Sequence, residues 1–260
     1  MVDKHLMLKI LLILLFLLSG FFVYRLSFIR TPDINTAWVI NLDKDTARLE
    51  NIIKQESYLP VSLQRWTATY GSDENRLKIA VEDGVGEILS RSVNNKDNYK
   101  SVKVLQRGGE IGCWLSHKRL LTHLSKQNYP ENYGHLICED DIIIDPNFIK
   151  KWECLKKRIP SDWEIIYFGA GGIHGIKISE GILRWQNDKT AANWGAYGYM
   201  VRQKSIHKIL ETLKLMAAPI DVQYYKLLGH MNIYILDPPL ISPTGEFGSS
   251  IDSQEARFEN

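Results

Sequence analysis

Residues 135–145 read HLICEDDIIID. A run of apolar or small residues ends at Cys138, and Glu139, Asp140 and Asp141 follow without a break. Three isoleucines come next, then Asp145. A short apolar run of this kind is the pattern of a buried strand. In an open α/β sheet, ligands are met at the carboxyl ends of the strands. The triplet ends a strand and therefore stands where a ligand would sit. Adjacent carboxylates repel one another, more strongly as the local dielectric falls. A divalent cation would offset that repulsion; oxygen donors suit Mg²⁺ or Mn²⁺, and such an ion can also hold the phosphates of a nucleotide. The competing reading is a solvated acidic turn after an edge strand.

Working outward, strands and helices alternate. TAWVINL (36–42) is a buried strand, and DKDTARLENIIKQ (43–55) a helix with Asp43 or Asp45 at its N-cap. VSLQRWTAT (61–69) is a second strand, and residues 71–108 are polar and irregular, the composition of an insert or lid. GEIGCWLSHKRLLTHLSKQ (109–127) carries Ile111, Trp114, Leu115, Leu121 and Leu124 near one helical face. Downstream of the triplet, DPNFIKKWECLKKRI is a helix that starts at Pro146 and stops before Pro160. Strands DWEIIYF, IKISEGILRW, WGAYGYMV and NIYILDPPL follow, with the helix QKSIHKILETLKLM before the last; the tail from Gly245 is polar. This alternation is that of an α/β sheet with helices on its faces.

The net charge of +2 over 260 residues carries no basic field, which argues against a nucleic-acid partner. The three cysteines, Cys113, Cys138 and Cys154, are odd in number and match no zinc spacing, so they read as buried thiols. A Cys138–Cys154 bridge is the alternative in an oxidising compartment. Ile10 to Tyr24 is uncharged and apolar, flanked by Lys4, Lys9, Arg25 and Arg30. With its apolar flanks it is long enough for a membrane anchor, and the bulky Phe21 and Phe22 fit a cleavage site poorly. The expectation is an uncleaved single-pass anchor and stem over residues 1–30, N-terminus inside, and a catalytic domain over residues 31–260.

Three further motifs bear on function. FGAGGIHG (168–175) misses the dinucleotide fingerprint by one position and precedes a strand, not the helix N-terminus that a pyrophosphate needs. Ser116 and His117 are helix neighbours and do not face each other, which argues against a Ser–His nucleophilic pair; His117 is either a phosphate or sugar ligand or a hydrogen-bonded helix histidine. Asp221 opens a helix after Pro219; it is either an N-cap or a second acidic group at the cleft.

Taken in order, these segments resemble glycosyltransferase family 25, the family of lipooligosaccharide and collagen-type galactosyltransferases. The resemblance rests on WVINLDKDTARLE, GEIGCWLSHKRLL, LICEDDIIIDPNF and the weaker DWEIIYFG, GAYGYMV and PIDVQYY, over about residues 37 to 252. It implies a Rossmann-like GT-A fold with a mixed sheet and an inverting, metal-dependent transfer of a sugar, galactose from UDP-galactose first among them. The acceptor would be a glycan, lipooligosaccharide or glycoprotein. By the same resemblance Asp141 and Glu139 bind Mn²⁺ or Mg²⁺. Asn41, Arg48, Ser116, His117, Glu139 and Asp140 line the nucleotide-sugar site, and Asp221 is the candidate general base. The anchor would place the enzyme in the secretory pathway of a eukaryote or virus, or in a bacterial inner membrane. The alternatives are an inactive membrane-tethered binding module on the same fold and, less favoured by clustered carboxylates, a metal-dependent hydrolase.

Overall fold

A computed structural model describes residues 31–72, 108–186 and 195–246, apart from 215, 217, 218, 225, 226 and 228. Its centre is a mixed sheet built from β1 (Ile34–Asn41), β2 (Leu63–Thr67), β3 (Gly134–Glu139), β5 (Ile165–Tyr167), β6 (Ile176–Ser179), β7 (Ile182–Arg184), β8 (Gly198–Arg202) and β9 (Ile233–Leu236). The spatial order is β2-β1-β3-β8-β5-β9-β7-β6. β1 runs parallel to both β2 and β3, and β5 parallel to β9, while β8 enters antiparallel between β3 and β5. The carboxyl ends of β1, β3, β5 and β9 therefore lie along one rim.

Alternation along the strands sorts the core into two layers. Trp38, Ile40, Ile137, Tyr199, Val201, Ile233 and Ile235 point to one face. There they pack against α2 (Gly108–Ser125), α4 (Ile206–Thr212) and α5 (Ile220–Tyr224). Ala37, Val39, Leu136, Cys138, Met200, Tyr234 and Leu236 point to the other, against α1 (Thr46–Ile53) and α3 (Phe148–Leu155). Helices thus cover both faces, as the sequence implied.

A second sheet of two strands, β4 (Ile142–Ile144) and β10 (Ile241–Pro243), fixes the chain just beyond the acidic triplet. The Thr244 N–H also donates to the Asp141 carbonyl at 2.7 Å. The triplet is therefore a short link held by a strand on each side. The stretch 176–184, read as one strand, is a hairpin of β6 and β7, turned at Gly181 with φ +79°.

Three expectations change. No helix among the described residues is long and apolar enough to cross a membrane, so the single-pass membrane protein is not supported. The segment behind that expectation, residues 1–30, lies outside the described residues, as do residues 73–107 of the insert and the tail from 247. All three cysteines are free, so the alternative Cys138–Cys154 bridge does not form, but the buried-thiol reading holds for Cys138 alone, with Cys113 half-buried and Cys154 exposed. Asp45 occupies the N-cap position of α1, but its side chain makes no capping hydrogen bond.

Candidate active site at the sheet rim

The rim where β1 and β3 end borders a cleft lined by Asp45, Arg48, Cys113, Ser116, His117, Glu139, Asp140 and Asp141, with Lys44 and Tyr70 at its edge. The three carboxylates do not converge. Successive side chains on a strand point to opposite faces, and Glu139 and Asp140 follow that rule as the chain leaves β3, while Asp141, beyond the strand, meets Arg48 on the same side as Asp140. Asp140 turns toward α1, Glu139 toward α2.

On the α1 side, Asn41 ends β1 and is buried. Its Nδ2 donates to Asp140 Oδ2 at 2.7 Å and to the Asp45 carbonyl at 3.0 Å. Its Oδ1 accepts from Arg65 Nε at 2.9 Å. Arg48, from α1, donates to Asp140 Oδ1 at 3.1 Å and to Asp141 Oδ2 at 3.3 Å. One guanidinium therefore touches two of the three carboxylates and offsets part of their charge. This is part of the compensation that the sequence reading assigned wholly to a dication. Burial still pushes the Asp140 carboxyl up, against the pull of Asn41 and Arg48. Asp141 is pushed up to about 6, by burial first and by the charge of Glu139 second, with Arg48 acting against both. Its negative charge remains under-compensated. Beside these groups, Asp45 Oδ2 is buried with no hydrogen-bond partner among the described residues.

On the α2 side, Glu139 Oε1 lies 3.4 Å from His117 Nε2 and 3.8 Å from Cys113 Sγ. His117 is fully buried and stacked on Tyr199, and its Nδ1 is 2.8 Å from Tyr199 Oη. Tyr199 Oη is in turn 3.0 Å from Tyr224 Oη. Burial, then the charges of Glu139 and Asp221, push the Cys113 thiol up.

Ser116 lines the cleft, but both of its hydrogen-bonding roles are filled. Its hydroxyl donates to the Gly112 carbonyl at 2.6 Å and accepts from the Thr69 N–H at 2.8 Å. It ties the exit of β2 to the first turns of α2. That junction is close: a Cβ at Gly112 would lie 2.6 Å from the Thr69 oxygen and 2.8 Å from the Gly71 nitrogen.

Of the residues singled out in the sequence, Arg48, Ser116, His117, Glu139, Asp140 and Asp141 line one cleft, and Asn41 braces it from below. Asp221 stands apart from that lining. Its Oδ2 accepts from the Gly195 N–H at 3.0 Å and its Oδ1 from the Val222 N–H at 2.8 Å. Sequence reasoning missed Asp45 as an orphaned acceptor, Arg65 as the partner of Asn41, and Cys113 and Tyr199 as neighbours of the His117–Glu139 pair. Only Cys113 left a signal, four positions before His117 on one helix.

The sequence profile described as Glycosyltransferase family 25 (LPS biosynthesis protein) matches residues 34–224. A "Glycosyltransferase 25 family member" of Anopheles gambiae is 23% identical over 192 residues, covering 71% of this chain and 30% of the relative. "Procollagen galactosyltransferase 1-A" of Xenopus laevis is 24% identical over 200 residues, covering 74% of this chain and 31% of the relative. The chain thus spans under a third of the length of the curated relatives it matches.

Proposed function

The chain belongs to glycosyltransferase family 25, and from that membership we propose that it moves a sugar from a nucleoside-diphosphate donor to an acceptor hydroxyl with inversion. Galactose from UDP-galactose is the donor we favour, because one matched relative is named a galactosyltransferase. The acceptor is a glycan, a lipooligosaccharide or a glycoprotein. The observation that carries this reading is the rim itself. Asn41, Arg48, Asp140 and Asp141 form one hydrogen-bonded unit at the carboxyl ends of β1 and β3, where α/β sheets receive ligands.

The donor set fits a hard dication. Asp141 is under-compensated and Asp45 Oδ2 has no partner among the described residues, and both offer the oxygen that Mn²⁺ and Mg²⁺ prefer. Asp141 would hold the ion, while Glu139 stays beside His117 on the α2 side. Bound there, it would supply positive charge for the diphosphate leaving group. Arg48 contributes fixed positive charge at the same rim without reorganising during the reaction. Asp140, already held by Asn41 and Arg48, keeps Arg48 aimed at Asp141. Ser116 and His117 form the wall beside the donor, and the buried stack of His117 on Tyr199 keeps that wall rigid. Asp221 is our candidate for the base that takes the acceptor proton; its charge is felt at Cys113 in the cleft wall.

The test is UDP release from a panel of UDP-sugars, with and without Mn²⁺ and with and without acceptor glycans. Acceptor-dependent, Mn²⁺-stimulated release from UDP-galactose is the expected result, reduced at least ~100-fold by Asp141→Ala, about the size of losing one preorganised charge-stabilising group. Release that needs no acceptor would replace transfer with hydrolysis. No turnover of any UDP-sugar, with UDP still bound, would leave a binding module.

A further inference from the structure

We infer that Cys113, His117 and Glu139 form a second cation site in the cleft, for Zn²⁺ or a similarly soft divalent metal, separate from the hard-metal position at Asp141. Cys113 and His117 are four residues apart on α2 and so project from one face of it. Glu139 meets them from the end of β3. Their ligand atoms all lie within 4.8 Å of one another, and theirs is the one such group of three among the described residues.

The two spacings to Glu139 are those of a tetrahedral shell. Bonds of about 2.3 Å to sulfur and about 2.1 Å to nitrogen and oxygen, at a tetrahedral angle, separate nitrogen from oxygen by about 3.4 Å and sulfur from oxygen by about 3.6 Å. The protein holds His117 Nε2 3.4 Å and Cys113 Sγ 3.8 Å from Glu139 Oε1. The surroundings also match. Metal-binding imidazoles are oriented by a partner on the other ring nitrogen. Here His117 Nδ1 faces Tyr199 Oη at 2.8 Å, backed by Tyr224. The Glu139 N–H donates to the Tyr197 carbonyl at 3.0 Å, which fixes the base of the third ligand.

Thiolate and imidazole select zinc-like metals over Mg²⁺ and Mn²⁺. Three protein ligands leave a fourth position, as in sites that bind water or substrate. All three residues line the cleft, so that position faces a bound ligand. On binding, the Cys113 sulfur exchanges its proton for the metal and the proton leaves to solvent. The competing reading is a plain His117–Glu139 hydrogen bond with Cys113 as a bystander.

Cobalt(II) separates the two, since a thiolate ligand gives it a near-ultraviolet charge-transfer band and a tetrahedral shell gives it strong visible bands. The titration uses chelator-treated full-length protein carrying Cys154→Ser, because Cys154 is exposed. No sugar donor is present, so the result is independent of the transferase reading. The first equivalent of Co²⁺ should bind with both sets of bands and be displaced by Zn²⁺. Cys113→Ser should lose the charge-transfer band and weaken binding at least ~10-fold. Glu139→Gln should keep that band and bind more weakly, and Asp141→Ala should change neither. Absence of the band in the parent protein overturns the proposal. So does a band that survives Cys113→Ser in a protein whose far-ultraviolet spectrum shows it folded, or one lost in Asp141→Ala.

Discussion

Asn41 shows how much of this cleft depends on single side chains. Its amide satisfies Asp140, the Asp45 carbonyl and Arg65 at once, inside the protein. Asn41→Ala takes one hydrogen bond from each of these groups, though Arg48 still holds Asp140 and the Leu49 N–H still meets the Asp45 carbonyl; hydrogen bonds that involve charged groups contribute about 1.5–3 kcal/mol each. Urea denaturation should show a loss in that range, and UDP binding should weaken with it. Two titrating groups then oppose each other with pH. Asp141 binds its proton more tightly folded than unfolded, since its pKa rises from 3.8 to about 6. Its contribution is thus present at low pH and lost as pH rises from about 4 through about 6. His135 is the reverse, lowered from 6.5 to about 4 by burial. It sits neutral between Thr36 Oγ1 and Gln203 Oε1, each at 2.8 Å, and its contribution is lost as pH falls through the same window. Each shift corresponds to ~3 kcal/mol at most. In metal-free protein the two should nearly cancel between pH 4 and 6.5. Asp141→Asn should remove one of them, giving a protein more stable than the parent near pH 7 and one whose stability climbs with pH across that window. Melting temperatures over a pH series check both points; a parallel pair of profiles would contradict the Asp141 assignment.

The junction of β2 with α2 depends on backbone contact. Gly112 lets the first turn of α2 touch the Thr69 and Gly71 backbones, and overpacking a site of this kind costs about 1–3 kcal/mol. Gly112→Ala should lower the midpoint of thermal unfolding accordingly. Ser116→Ala should cost less in stability, yet raise the donor KM by loosening the Thr69 wall. The sequence made α2 legible because Ile111, Trp114, Leu115, Leu121 and Leu124 recur at helical spacing. It did not show the glycine contact, which requires knowing what crosses the helix. β4 was illegible for a related reason. Ile142 to Ile144 carry no alternation, and their partner, β10, lies about a hundred residues on. The triplet itself was found at once, but the reading treated three adjacent carboxylates as one cluster. Strand alternation, applied to Glu139 and Asp140, would have sent them to opposite faces.

Long-range order rests on two apolar layers joined through the sheet. Trp114 is fully buried between α2 and the sheet, and its Nε1 donates to Gln223 Oε1 of α5 at 2.9 Å. Trp114→Ala should cost about 3–5 kcal/mol, the range for removing a buried large aromatic, read by chemical denaturation. Alternating strands and helices announced an α/β sheet with covered faces. They did not announce that β8 inserts between β3 and β5, because strand order is set by crossovers that leave no local mark. That insertion brings Tyr199 beside His117 and completes the α2 side of the cleft. The central claim is that the rim of β1 and β3 binds the diphosphate of a sugar nucleotide through Asp141 and Arg48. Calorimetric titration of UDP, with and without Mn²⁺, into the parent protein and Asp141→Asn tests it most directly. The account predicts Mn²⁺-dependent binding that Asp141→Asn weakens at least ~10-fold, about 1.4 kcal/mol. Equal affinity in the two proteins, with Mn²⁺ present, would contradict it.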